Sequence, residues 1–97
     1  MAYPDLYPPA SPAGLICLPE PALVRLRWDA APEAGAFFKV LRRTAGSPRW
    51  DHLAERVDQT SFSDDTPPSA VLEYAVKTVD DAGNQSEAAT CTVRTGS

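Results

Sequence analysis

Along most of this chain apolar and polar residues alternate with a period of two. Leu15 and Cys17 are spaced this way, and Val24, Leu26 and Trp28 alternate with Arg25 and Arg27, the pattern of strands that turn one face to a core and the other to water. A hairpin turning at Pro19-Glu20-Pro21 would join these first two strands. Asp29 to Gly35 (DAAPEAG) reads as a loop, and Phe37 to Arg43 (FFKVLRR) as a third strand with Phe38 and Val40 on one face. After a turn at Ala45-Gly46-Ser47-Pro48, Trp50 to Val57 reads as a short strand or edge segment, followed by Thr60 to Ser63. Leu72 to Asp80 carries the strongest strand signal, with Leu72, Tyr74 and Val76 inward and Glu73, Ala75 and Lys77 outward. Asp81-Ala82-Gly83-Asn84 has the composition of a hairpin turn, and Ala89 to Thr95 reads as the last strand, with Cys91 and Val93 inward. Seven short strands, turn signals every ~8–12 residues and no helical stretch predict an all-β, seven-stranded antiparallel β-sandwich.

The period is absent from residues 1–11, where Pro4, Pro8 and Pro9 are interleaved with Tyr3, Leu6 and Tyr7. Proline at this density favours extended polyproline II. The predicted organisation is thus an extended Pro/Tyr-rich N-terminal arm over 1–11 and a sandwich over 12–97. At 97 residues the chain has room for one core. Its 43% hydrophobic and 23% charged residues exclude a disordered or collagen-like chain. A net charge of −4 counts against nucleic acid, because affinity for phosphates needs a basic surface. No window approaches the ~20 apolar residues of a membrane helix. The opening MAYPDLYPPASP has neither the basic nor the apolar region of a signal peptide. A cytoplasmic location is therefore expected, with secretion only for a fragment of a larger protein.

Three groups of residues narrow the choice among sandwiches. Pro12-Ala13-Gly14-Leu15 with VRLRW ending at Trp28, FFKVLRR, and TSFSDDT at 60–66 with YAVKTVDDAGNQSEAA at 74–89 together resemble a fibronectin type III domain of the bacterial and phage kind. The resemblance spans residues 12 to about 95 and implies an immunoglobulin-like sandwich. It puts Trp28 at the core centre, with Phe38, Val40, Tyr74 and Val76 around it. It departs from the family at Leu72, where a corner tyrosine often stands, and at Pro67-Pro68-Ser69, which replaces a proline-glycine pair. The usual corner bond thus has no hydroxyl to carry it at position 72.

Cys17 and Cys91 fall on the first and last strands, not on the second and sixth that an immunoglobulin domain bridges. A disulfide across the sandwich edge and a pair of buried free thiols both fit; free thiols suit a cytoplasmically made protein and are the reading taken here. His52 is the single histidine, so neither a catalytic triad nor a zinc site is readily assembled, and it reads as an edge-strand surface residue. The pairs Asp64-Asp65 and Asp80-Asp81 point to opposite faces of any strand they occupy and read as turn formers that accept backbone N–H bonds. Calcium at Asp80, Asp81, Asn84 and Glu87 is the sharper alternative, against which the spacing lacks the match to a known calcium loop. No enzyme activity, cofactor or metal is expected.

Binding is expected through the arm residues Tyr3, Leu6 and Tyr7 and through one sheet face. With Phe38 and Val40 inward, Phe37, Leu41 and Val79 form an exposed apolar strip rimmed by Lys39, Arg43 and Lys77, with Trp50 close by, and such strips suggest an interface. The competing reading is that Trp50 and the stems of the basic residues shield the strip. The function expected is a non-catalytic interaction or structural module, most simply a small structural or decorating subunit of a larger assembly such as a bacteriophage virion or tail. The alternative is a spacer domain of a secreted bacterial carbohydrate-active enzyme. Partners are then other protein subunits, with neither nucleic acid nor membrane, and with carbohydrate contact only on a virion surface or beside an enzyme.

Overall fold

A computed structural model describes residues 9–20, 23–31, 35–65 and 71–94. The arm residues Tyr3, Leu6 and Tyr7 lie outside this set. Seven strands follow in order: β1 (Ile16–Glu20), β2 (Leu23–Arg27), β3 (Phe37–Thr44), β4 (Asp51–Val57), β5 (Ser61–Asp65), β6 (Val71–Val79) and β7 (Ala89–Arg94). They form a three-stranded sheet in the order β1-β2-β5 and a four-stranded sheet in the order β4-β3-β6-β7, and every pairing between them is antiparallel.

The period of two sets which side chains fill the space between the sheets. From β2 come Val24 and Leu26, from β3 Phe38 and Val40, and from β6 Leu72, Tyr74 and Val76, all buried in one cluster with Trp28 and Val93. Trp28 stands just past β2, where its backbone N–H donates to the Thr60 carbonyl at 3.0 Å. Its ring meets Phe38 edge to face, with centroids 5.3 Å apart, the arrangement that aromatic quadrupoles favour. The core inferred from the resemblance is therefore the core observed.

Two elements differ from expectation, and a third meets it. Pro19 pairs with Val24 and Glu20 with Leu23, so β1 runs through the expected turn. The short strand or edge segment expected from Trp50 to Val57 is the edge strand β4, Asp51–Val57, whose register with β3 shifts on either side of Val40. The fifth strand continues through Asp64 and Asp65, which makes both of them ladder residues and corrects their reading as turn formers.

The thiols are bonded. Cys17 and Cys91 form a disulfide with Cα atoms 6.4 Å apart and a sequence separation of 74, which replaces the expectation of free thiols. The physical reason is the packing of β1 against β7 at one open edge of the sandwich, where two inward-facing, half-buried side chains meet. A second tie joins the segments that lead into these two strands, where the Ser11 hydroxyl donates to the Glu87 carbonyl at 2.8 Å. The two ties occur in the same order along both segments, so β1 and β7 run in the same direction. The chain consequently enters at one end of the sandwich and leaves at the other.

On a polymer account, closing a loop this long removes unfolded-state entropy worth about 4 kcal/mol. Reduction, or the double substitution Cys17→Ser with Cys91→Ser, is expected to lower the unfolding free energy by about 2–5 kcal/mol, read as a lower denaturant midpoint with the native circular dichroism retained. An unchanged midpoint would contradict the bond.

Candidate interaction surfaces

The outer face of the four-stranded sheet brings together the residues singled out for binding, in a form unlike the one expected. Phe37 pairs with Val79 and Leu41 with Ala75 across β3 and β6. Leu41 is 7% exposed and Val79 3% exposed, which corrects their placement on an exposed strip. Leu41 lies two positions from Lys39 and from Arg43 on the same face, so their stems flank it. The Arg43 guanidinium stacks 4.4 Å over the Trp50 ring and bonds Glu73 at 2.6 Å. Arg56 stacks over the half-buried Phe37 ring at 4.4 Å, and Lys39 reaches Glu55 at 3.6 Å. This face is therefore an apolar layer under a lattice of paired cations and carboxylates.

Among the described residues, the exposed large apolar side chains are elsewhere, Ile16 at 53% and Leu18 at 46% on β1. They stand opposite Arg27 and Arg25 of β2, which in turn face Ser61 and Ser63 of β5. Arg25 is held by Glu20 at 2.7 Å. A shallow depression of about 250 Å³ lies among Arg25, Arg27, Ser61 and Ser63. The signal for this face was present in the sequence: if Leu15 and Cys17 point in, Ile16 and Leu18 point out, and both are aliphatic. Around the β5 edge a larger open groove of about 480 Å³ runs between β4 and β5, lined by Arg56, Asp58, Gln59, Ser61 and Phe62 among others.

Beside that groove, Asp64 joins the two sheets. Its Oδ2 accepts from Arg42 Nη1 at 2.7 Å and from the Tyr74 hydroxyl at 2.7 Å. Arg42 and Tyr74 are register partners on β3 and β6, whereas Asp64 belongs to the other sheet. Burial, reinforced by the hydrogen bond to Asp64, pushes the Tyr74 phenol well above its ordinary range. Burial works to lower the Arg42 pKa, but its bond and charge interaction with Asp64 outweigh that and raise it. With Leu72 in the corner position, a tyrosine tie to the preceding strand is thus made from position 74 instead.

In the β6–β7 turn, Asp80 does what a turn former does. Its Oδ1 accepts from the backbone N–H groups of Ala82 at 3.0 Å and Asn84 at 2.8 Å, its Oδ2 accepts from the Asn84 amide at 3.1 Å, and Gly83 supplies the positive φ the turn needs. Partial burial opposes ionisation, but the Asn84 backbone and side-chain donors outweigh it and hold the Asp80 carboxyl below its usual range. With both oxygens engaged by the turn, its geometry is self-sufficient. His52 lies exposed on β4 with Nδ1 2.7 Å from Glu55 Oε2, as an edge-strand surface residue should.

This architecture is similar to several solved structures. A fibronectin-type-III-like protein from Clostridium thermocellum matches with a TM-score of 0.77 and 24% identity, over 94% of this chain and 97% of that one. The FN1–FN3 domains of chicken CNTN1 match with a TM-score of 0.79 and 13% identity, over 93% of this chain and 33% of that one. A bacterial orthologue of human α-L-iduronidase matches with a TM-score of 0.73 and 26% identity, over 91% of this chain and 15% of that one. The fold is that of fibronectin type III domains. No family model matches the chain, and no curated protein matches it.

Two outcomes follow from these surfaces. Phe37→Ser with Leu41→Ser is expected to cost about 2–5 kcal/mol in chemical denaturation, because Leu41 is a buried side chain; a change under ~0.5 kcal/mol would return both residues to the exposed surface. The raised Tyr74 pKa means that the unfolded chain loses its phenolic proton first as pH rises. That contribution to stability is full below pH ~10 and is lost as pH climbs through the folded-state value. Melting temperatures above pH 10 should therefore fall more steeply for the native protein than for Tyr74→Phe, and parallel curves would remove Tyr74 from the buried network.

Proposed function

We propose that this domain is a non-catalytic spacing and protein-binding module that works outside the cytoplasm as part of a larger protein. The observation that carries this reading is the course of the chain: β1 and β7 run the same way, so neighbours joined to the two ends stand at opposite ends of a rigid sandwich. The disulfide supports an oxidising compartment. The match to one small portion of an α-L-iduronidase orthologue supports attachment to a carbohydrate-active enzyme. Fibronectin type III segments within the longer chicken CNTN1 chain are consistent with the same use.

A second reading, a structural or decorating subunit of an assembly such as a bacteriophage virion or tail, is favoured by the exposed Ile16 and Leu18 beside Arg25 and Arg27. An apolar pair rimmed by arginine suits a seat on a neighbouring subunit.

The genomic surroundings separate the two. The spacer reading expects an export signal and a further domain, catalytic or binding, in the same reading frame. Capsid or tail genes on both sides, with the protein co-sedimenting with particles and released by Ile16→Glu with Leu18→Glu, would overturn it in favour of the second.

A further inference from the structure

We infer that the Cys17–Cys91 disulfide is a mechanical link, which passes tension applied along the polypeptide from one end of the domain to the other and keeps the chain between the two cysteines from being drawn out. The inference rests on the spacer reading for the source of the load, but the link is a property of this chain alone.

The geometry argues for it in three steps. First, β1 and β7 are both edge strands, each held in its sheet by a single neighbour, β2 or β6. A pull on the two ends would strip these strands before any other. Secondly, the two strands run the same way, so the ends are pulled in opposite directions past one another and the ladders holding β1 and β7 would carry the shear. Thirdly, the bond joins those two strands to each other, across a sequence separation of 74. Tension arriving at Cys17 therefore crosses two sulfur atoms to Cys91 and departs through the end of β7. The buried residues from Val24 to Val79 all lie inside the closed loop and cannot be drawn out through it; outside it, among the described residues, stand only the strand pairings of Ile16 with β2 and of Thr92–Arg94 with β6. A bond serving stability alone could close a loop anywhere in the sandwich; this one connects the two strands through which load enters and leaves.

The consequence is a length that stays fixed under force. Without the bond, unfolding would release the chain between the cysteines, about 250 Å at ~3.4 Å for each of the 74 steps. With it, only the segments outside the cysteines can extend.

Single-molecule force spectroscopy on the full chain, held by handles at both termini, tests this. The oxidised domain is expected to show no extension step near 250 Å up to rupture of the handles. Dithiothreitol added at constant force becomes a cyclic disulfide while leaving Cys17 and Cys91 as thiols, and a step of that size should then appear. Cys17→Ala with Cys91→Ala should show it without reductant; if that variant does not fold, wild-type protein reduced in place supplies the same comparison. A full-length step from the oxidised domain, or identical traces before and after reduction, would overturn the inference. Neither result depends on which neighbours flank the domain, so failure here is distinct from failure of the spacer reading.

Discussion

Cys17 belongs to the strand that begins the sandwich and Cys91 to the strand that ends it, and the bond between them closes an edge that backbone hydrogen bonds leave open. Each ladder stays within its own sheet, so the sheets are held face to face by side chains: the apolar cluster around Trp28, Phe38 and Tyr74, and whatever spans the open edges. At the β1–β7 edge the span is covalent. The direction of the chain fits that placement, and the proposals of an oxidising compartment and of a response to load both rest on it.

The opposite edge is managed by charge. Asp64 accepts from Arg42 and Tyr74 across the sheets, and the two joints differ in kind and in size. A half-buried ion pair gains Coulomb energy but loses hydration, so its net worth is small while removal of one partner is costly. A disulfide of this span lowers the entropy of the unfolded chain by an amount worth about 4 kcal/mol. The covalent edge therefore sets how firmly the sheets are held, and the Asp64 edge sets their relative position, since one carboxylate oxygen must meet two donors at once. The exposed Ile16 and Leu18 lie on the strand the disulfide anchors, which fixes that patch relative to the core behind it.

Period-two alternation was enough to read the seven strands and to place Trp28, Phe38, Val40, Tyr74 and Val76 in one core, because each sheet buries one face. It left the strip holding Leu41 and Val79 open between an exposed and a shielded reading, because alternation reports which way a side chain points and says nothing of what covers it. On this face Arg43 stacks over Trp50, in keeping with the shielded reading, and Arg56 stacks over Phe37, a contact that local pattern cannot join. Asp64 was mistaken for a turn residue for a related reason. Its partners lie 22 positions upstream and 10 downstream, and aspartate in a short polar stretch has the composition of a loop. Asp80, whose partners are all within four positions, was legible. The cysteines were placed on the correct strands, but whether two thiols bond is decided by a distance that strand assignment does not supply. The patch at Ile16 and Leu18 needed only the complement of an alternation already recognised.

Peptide mapping under non-reducing conditions tests the central claim most directly. Protein purified without reductant, unfolded and exposed to an alkylating reagent, should take up no label, and its digest should contain one cross-linked pair of peptides carrying Cys17 and Cys91 that separates on reduction. Two alkyl groups on the unreduced chain would contradict the covalent edge, and with it the proposed load path and the proposed oxidising compartment.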